Sequence, residues 1–167
     1  MSQRALTELL YGKAAHADPI GCVEDLSADL AAHPVVGFPH SIGQILWHMN
    51  YWMDYELRRI HGELPKYPEH AAESWPPSPT PANPQDWDHL RKRFAGLLAE
   101  YAGLAKSSPQ EMQRQVEAER SRDLQVAGSL EAVLWQTVVH NSYHVGQIAL
   151  LRRALGVWPP RAGGDTW

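Results

Sequence analysis

Between residues 65 and 84 the sequence places seven prolines, Pro65, Pro68, Pro76, Pro77, Pro79, Pro81 and Pro84. A proline lacks the backbone N–H, and its ring clashes with the preceding helical turn, so neither a helix nor a central strand can run through this stretch. The stretch therefore divides the chain into two halves. It is long for a loop in a compact domain, so it is expected to wrap the fold rather than dangle, with Trp75 available to pin it.

Helical periodicity dominates on both sides. A first helix is expected from Gln3 to about Ala15, with Ser2 as cap and Leu6, Leu9 and Leu10 on one face. A short one follows Asp18 and Pro19, carrying Val23 and Leu26. Ser41-Ile42-Gly43-Gln44 has the capping-box pattern, and Ile45, Leu46, Met49, Trp52, Met53 and Ile60 then share a face up to Gly62. Asn83, Pro84 and Asp86 open a third long helix, with Trp87, Leu90, Phe94, Leu97, Tyr101 and Leu104 spaced as in a bundle seam. Ser108-Pro109 starts a shorter turn, and Gln115 to Asp123 is mostly polar. The last helix is capped by Ser129 and runs to about Leu155, where Gly156 and Pro159-Pro160 stop it. No alternating stretch gives a convincing strand. The expectation is one all-α domain over residues 1–167, a four-helix bundle with a long Pro-rich connection between helices 2 and 3.

Composition narrows the function. A formal net charge of −4 and the lack of a Lys/Arg stripe argue against a nucleic-acid surface. Cys22 is the single cysteine, so no intrachain disulfide forms and a cytoplasmic setting is expected. No stretch approaches a membrane span or a secretory leader. A chain of this length can bury roughly 70% of its unfolded surface, so it can build a core without a metal.

The chemistry concentrates in the last helix. Leu130, Val133, Thr137, Ile148, Leu151 and Leu155 form its core stripe, and His140 and His144 fall at the centre of that stripe, one turn apart. Buried imidazoles need hydrogen bonds or a metal. On this helix alone, two core histidines satisfied by neighbours such as Thr137 remain an alternative. His48, at the border of the apolar face of the second long helix, supplies a third imidazole from a facing helix, or else lies at a half-exposed rim. Three protein ligands with an open position characterise catalytic zinc. His16, His33, His61, His70 and His89 read as solvated, and His40 as a brace for the helix start. The opposite face of the last helix, Ala132, Trp135, Val139, Tyr143, Gly146 and Leu150, is also largely apolar. That face suits a homodimer contact, or burial under the proline-rich stretch. There is no HExxH, GxSxG, P-loop or GxGxxG, no evident general base, and Cys22 reads as a small buried residue.

Three stretches resemble the DinB/YfiT-like superfamily: Ser41-Ile42-Gly43-Gln44-Ile45-Leu46-Trp47-His48, His140-Asn141-Ser142-Tyr143-His144-Val145-Gly146-Gln147-Ile148, and Leu151-Arg152-Arg153-Ala154-Leu155-Gly156 with Trp158-Pro159-Pro160. The ending Gly163-Gly164-Asp165-Thr166-Trp167 resembles one subgroup. The resemblance covers nearly the whole chain. It implies a four-helix bundle, often dimeric, with nickel or zinc on a tri-histidine site, here His48, His140 and His144. It also implies a small-molecule substrate, and the family's thiol S-transferases suggest a low-molecular-weight thiol. A metal-dependent hydrolase and a non-enzymatic, damage-inducible metal-binding protein are the alternatives.

Overall fold

The structure, a computed structural model, describes residues 3–13, 15–117 and 128–163. The expected Ser2 cap and most of the Gly163–Trp167 ending lie outside them, as does the end of the polar stretch at Asp123. The described residues are mainly helical: α1 (Gln3–Leu10), α2 (Gly21–Glu24), α3 (Ala28–Ala32), α4 (Ile42–Ile60), α5 (Pro84–Leu104), α6 (Pro109–Met112) and α7 (Leu130–Ala154). Two two-residue strands, β1 (Gln115–Val116) and β2 (Gly128–Ser129), pair antiparallel just ahead of α7. They add a feature that the reading of an all-α chain did not include. Two residues are too few for an alternating pattern to register in the sequence.

The long helices begin and end where local chemistry dictates. The Ser41 hydroxyl accepts from the Gln44 backbone and the Gln44 side chain accepts from the Ser41 backbone, closing a capping box on α4. Asn83 caps α5 by accepting from Asp86, and Ser129 caps α7 by accepting from Ala132. α1 is shorter than expected. Gly12, at φ 71, lets Lys13 and Gly12 donate back to Glu8 and Leu9, a Schellman ending that stops the helix at Leu10 rather than Ala15. Ser27 caps α3, an element too short to carry a periodic signal.

α4 packs against both α5 and α7, and α1 packs against the same two helices. The core between them includes Leu6, Leu46, Met49, Phe94, Leu97, Leu98, Leu134 and Ile148, all essentially inaccessible to solvent. α4 and α5 are also joined by polar bonds: Tyr101 donates to the Met53 carbonyl (3.0 Å) and Asn50 to the Leu90 carbonyl (3.0 Å).

Residues 61–83 run back along α4. Ser41, Gln44, His48 and Tyr55 lie on one face of that helix and donate to the carbonyls of Thr80, Pro76, Ser74 and Pro65 respectively. Register along α4 thus rises as it falls along the segment, and the two run antiparallel. Gly43 makes the approach possible, because a Cβ there would lie 2.2 Å from the Thr80 carbonyl oxygen. A 3-10 turn at Ala71–Ser74 presents the Ser74 carbonyl to His48.

The outer face of α7 is not covered by that segment. Val139, Tyr143 and Leu150 are 67%, 64% and 56% exposed, and a Cβ on Gly146 would meet open space. At the far end of α7, Arg152 is 1% exposed and donates to the carbonyls of Cys22 (2.9 Å) and Val157 (2.7 Å) and to Asp25 (2.7 Å). This cation locks the α2–α3 region onto α7. Its hydrogen bonds hold the Asp25 carboxyl below the usual carboxylate range, so that stabilisation is present above the unfolded carboxyl pKa and is lost as pH falls through the folded value. Arg152→Met should cost about 3–5 kcal/mol in urea denaturation, because it leaves the Asp25 carboxylate with only backbone N–H donors, Arg161 among them, and removes the partner of two carbonyls. A cost below about 1 kcal/mol, the ordinary value of a surface pair, would show that the lock carries little weight.

Candidate metal centre

The second histidine helix, α7, meets the first, α4, near its own midpoint. His48 on α4 is 7% exposed and His144 on α7 is 4% exposed, while His140, one turn earlier, is half-buried. His140 Nε2 lies 3.4 Å from His48 Nε2 and 3.1 Å from His144 Nε2. One ring nitrogen from each residue lies within 4.8 Å of the others, close enough for all three to hold a single ion.

The outer nitrogens fix which way the rings present themselves. His48 Nδ1 donates to the Ser74 carbonyl at 2.8 Å. A carbonyl can only accept, so the proton of neutral His48 sits on Nδ1 and its Nε2 offers a lone pair. His144 Nδ1 donates to Gln147 Oε1 at 2.7 Å, and the Gln147 amide donates in turn to the Tyr143 hydroxyl at 3.2 Å. His144 Nε2 therefore offers a lone pair as well. Both lone pairs point at His140 Nε2, which can carry one proton at most and so can satisfy only one of them. Such a cluster of unshared electron pairs fits a cation. The imidazole set suits a transition-metal ion, and acceptors behind the rings are the usual support of metal-ligating histidines.

The electrostatics agree. Burial pushes His48 and His144 down to about 4, with the imidazoles of His140 and His40 adding to the effect at both, and burial also lowers His140. All three rings are neutral near pH 7, the form that binds a metal.

Aromatic side chains hold the centre in place. Trp75 stacks on His48 (3.9 Å between centroids, 8°) and on His40 (3.7 Å, 7°), so its indole is sandwiched between two imidazoles. The edge of Trp52 meets His48. A cleft of about 920 Å³ opens beside His140, with Trp52, Tyr67, Trp135 and Tyr143 among its walls and Glu56 and Arg59 on the α4 side.

A model of the DinB family matches residues 1–165. The chain belongs to the DinB family. No curated protein and no solved structure matches it.

In this DinB-family chain the other histidines stand apart from the cluster. His33, His61, His70 and His89 are exposed, and His61 pairs with Glu100. His16 departs from its expected solvated state: it is half-buried, with Nε2 2.9 Å from Ser142 Oγ on α7. His40 does more than brace a helix start, since it clamps Trp75. Cys22 is fully buried, and burial pushes its thiol up to about 11, so it is no nucleophile. The sequence reading missed the roles of Ser74 and Gln147 and the Glu56–Arg59 pair. Glu56 did carry a signal, because it falls on the apolar face of α4, three residues after Met53.

Acid should act on this centre with a definite sign. The folded pKa values of His48 and His144 lie below the ordinary 6.5, so the unfolded chain binds more protons between about 4 and 6.5. The metal-free DinB-family protein should hold its full stability above pH 6.5 and lose it as pH falls toward 4, and His144→Gln should flatten that loss. Thermal melts across this range check it. A wild-type Tm that stays level from pH 6.5 to 4 would contradict the burial of these rings.

Proposed function

We propose that His48, His140 and His144 bind one divalent ion, zinc or nickel, and that the protein is a metal-dependent enzyme, most consistent with transfer to or from a low-molecular-weight thiol. One observation carries the reading: the three imidazole nitrogens converge, one of the rings, His140, lines a cleft, and no fourth His, Cys, Asp or Glu joins them among the described residues. A divalent ion with three neutral imidazoles keeps a position for a small ligand and lowers the pKa of a thiol or water placed there.

The chain's own residues supply the rest. The Ser74 carbonyl and the Gln147 amide orient two of the rings. Trp75 and Trp52 keep water from the His48 side, and the aromatic walls receive the apolar part of a substrate. Among the described residues that line the cleft there is no serine or cysteine, which is why the nucleophile is assigned to a thiol brought from outside. Metal-dependent hydrolysis differs by needing no added thiol. A purely structural or sensory metal in a stress protein would not need the cleft beside His140.

The same reading takes the fold as a four-helix bundle of α1, α4, α5 and α7, supported by the closed ring of contacts in which α1 and α4 each touch α5 and α7. Residues 61–83 form its Pro-rich connection. The exposed apolar stripe of α7 supports a homodimer, and the chain's low positive charge supports small-molecule rather than nucleic-acid partners. No helix among the described residues is long and apolar enough to cross a membrane, and we place the protein in the cytoplasm.

Elemental analysis of purified protein should find about one equivalent of zinc or nickel in wild type, and a loss of at least about tenfold in affinity for His48→Ala, His140→Ala and His144→Ala alike. Retention of metal by all three variants would refute the site. A panel of thiols and electrophiles should show turnover that requires both metal and thiol and is lost in His144→Ala. Turnover without thiol would move the assignment to hydrolysis, and no metal-dependent turnover would remove the enzyme reading. Chelation should leave the far-UV circular dichroism unchanged, because the apolar core is complete without the ion. Collapse of the helical signal would make the metal structural.

A further inference from the structure

The cleft beside the histidines contains one ion pair that the chemistry above does not use. Arg59 and Glu56 both line it, and their side chains are only 6% and 11% exposed. Arg59 Nη1 donates to Glu56 Oε2 at 2.6 Å, and Arg59 Nε donates to the Glu117 carbonyl at 3.0 Å. Arg59 Nη2 is buried and has no partner among the described residues. On the α7 wall of the same cleft, Trp135 Nε1 is also buried and has none among them.

Buried donors are almost always satisfied, so two idle donors in a single cleft mark a place where acceptor atoms from outside belong. One of them is a guanidinium, whose planar fork matches the two oxygens of a carboxylate. Glu56 occupies only one arm of that fork. Burial raises the Glu56 carboxyl above its ordinary pKa, against the pull of Arg59. The remaining wall is aromatic, from Trp52, Tyr67, Trp135 and Tyr143.

We propose that Arg59, through its free Nη2, docks a carboxylate carried by the substrate, whose flat apolar body lies along the aromatic wall toward His140. The proposal deepens the reading of this cleft as the substrate site and rests on it. The carboxylate is a recognition handle, distinct from the atom that reacts at the histidines, and Arg59 is a specificity residue rather than a catalytic one.

The test uses metal-free protein, so that a carboxylate cannot score by ligating the metal. Phenylacetate, 3-phenylpropanoate, 4-phenylbutanoate and 5-phenylpentanoate are titrated against their primary amides, read by quenching of tryptophan fluorescence. At least one acid should bind about tenfold or more tightly than its amide, the worth of a charged hydrogen bond. Glu56→Gln should widen that preference, because it frees the guanidinium, whereas mere structural damage would narrow it. The double variant Glu56→Gln/Arg59→Gln, which replaces the ion pair with a neutral pair, should abolish it. Equal binding of acid and amide through the whole series overturns the proposal, as does a preference that narrows in Glu56→Gln or survives in the double variant. Acid preference without metal uptake would leave this subsite standing and remove the metal reading. Metal uptake without acid preference would do the reverse.

Discussion

The hydrogen bond from His48 Nδ1 to the Ser74 carbonyl joins everything else in the molecule. It belongs to a row of bonds by which one face of α4 holds residues 61–83, from Ser41 and Thr80 at one end to Tyr55 and Pro65 at the other. Prolines cannot donate, so this segment leaves carbonyls that need partners from outside, and α4 provides them. The same bond fixes the tautomer of His48 and turns its Nε2 toward α7. The path of the connection and the state of the candidate ligand are thus set by one contact.

α7 gives up apolar packing to complete the arrangement. His140 and His144 stand where leucine would otherwise fill the stripe between Thr137 and Ile148. The two rings lose hydration there, and burial keeps them neutral. Gln147 recovers one hydrogen bond at His144, yet three ring nitrogens still face one another at 3.1 and 3.4 Å with too few protons to share. Buried apolar side chains flank the two histidines on the same helix, Val133, Leu134 and Val138 before them and Val145, Ile148 and Leu151 after them.

Much of the helical frame was legible because it is local. Ser41 with Gln44, Asn83 with Pro84 and Asp86, and Ser129 with Gly156 announce helix ends within four residues or at a single glycine. His140 and His144 could be placed on one face from spacing alone, and His48 could be nominated from the border of an apolar face, where a half-exposed rim was the alternative until the DinB resemblance favoured a ligand. What could not be read depends on contacts distant in sequence. His40 and Trp75 are 35 positions apart, and no periodicity brings them together with His48. α1 was overextended because Gly12 looked like any glycine until its positive φ was seen. The five-residue α3 and the two-residue strands are shorter than the periods that reveal such elements. Glu56 and Arg59 lie on a face read as apolar, where charged residues were passed over although they mark the cleft.

The convergence of three Nε2 atoms on one ion is most directly tested by diffraction from zinc-soaked or nickel-soaked crystals at the absorption edge of the metal. The account predicts a single strong anomalous peak about 2.0–2.1 Å from the nitrogens of His48, His140 and His144. A peak elsewhere, or one held by fewer than three of these rings, would contradict it.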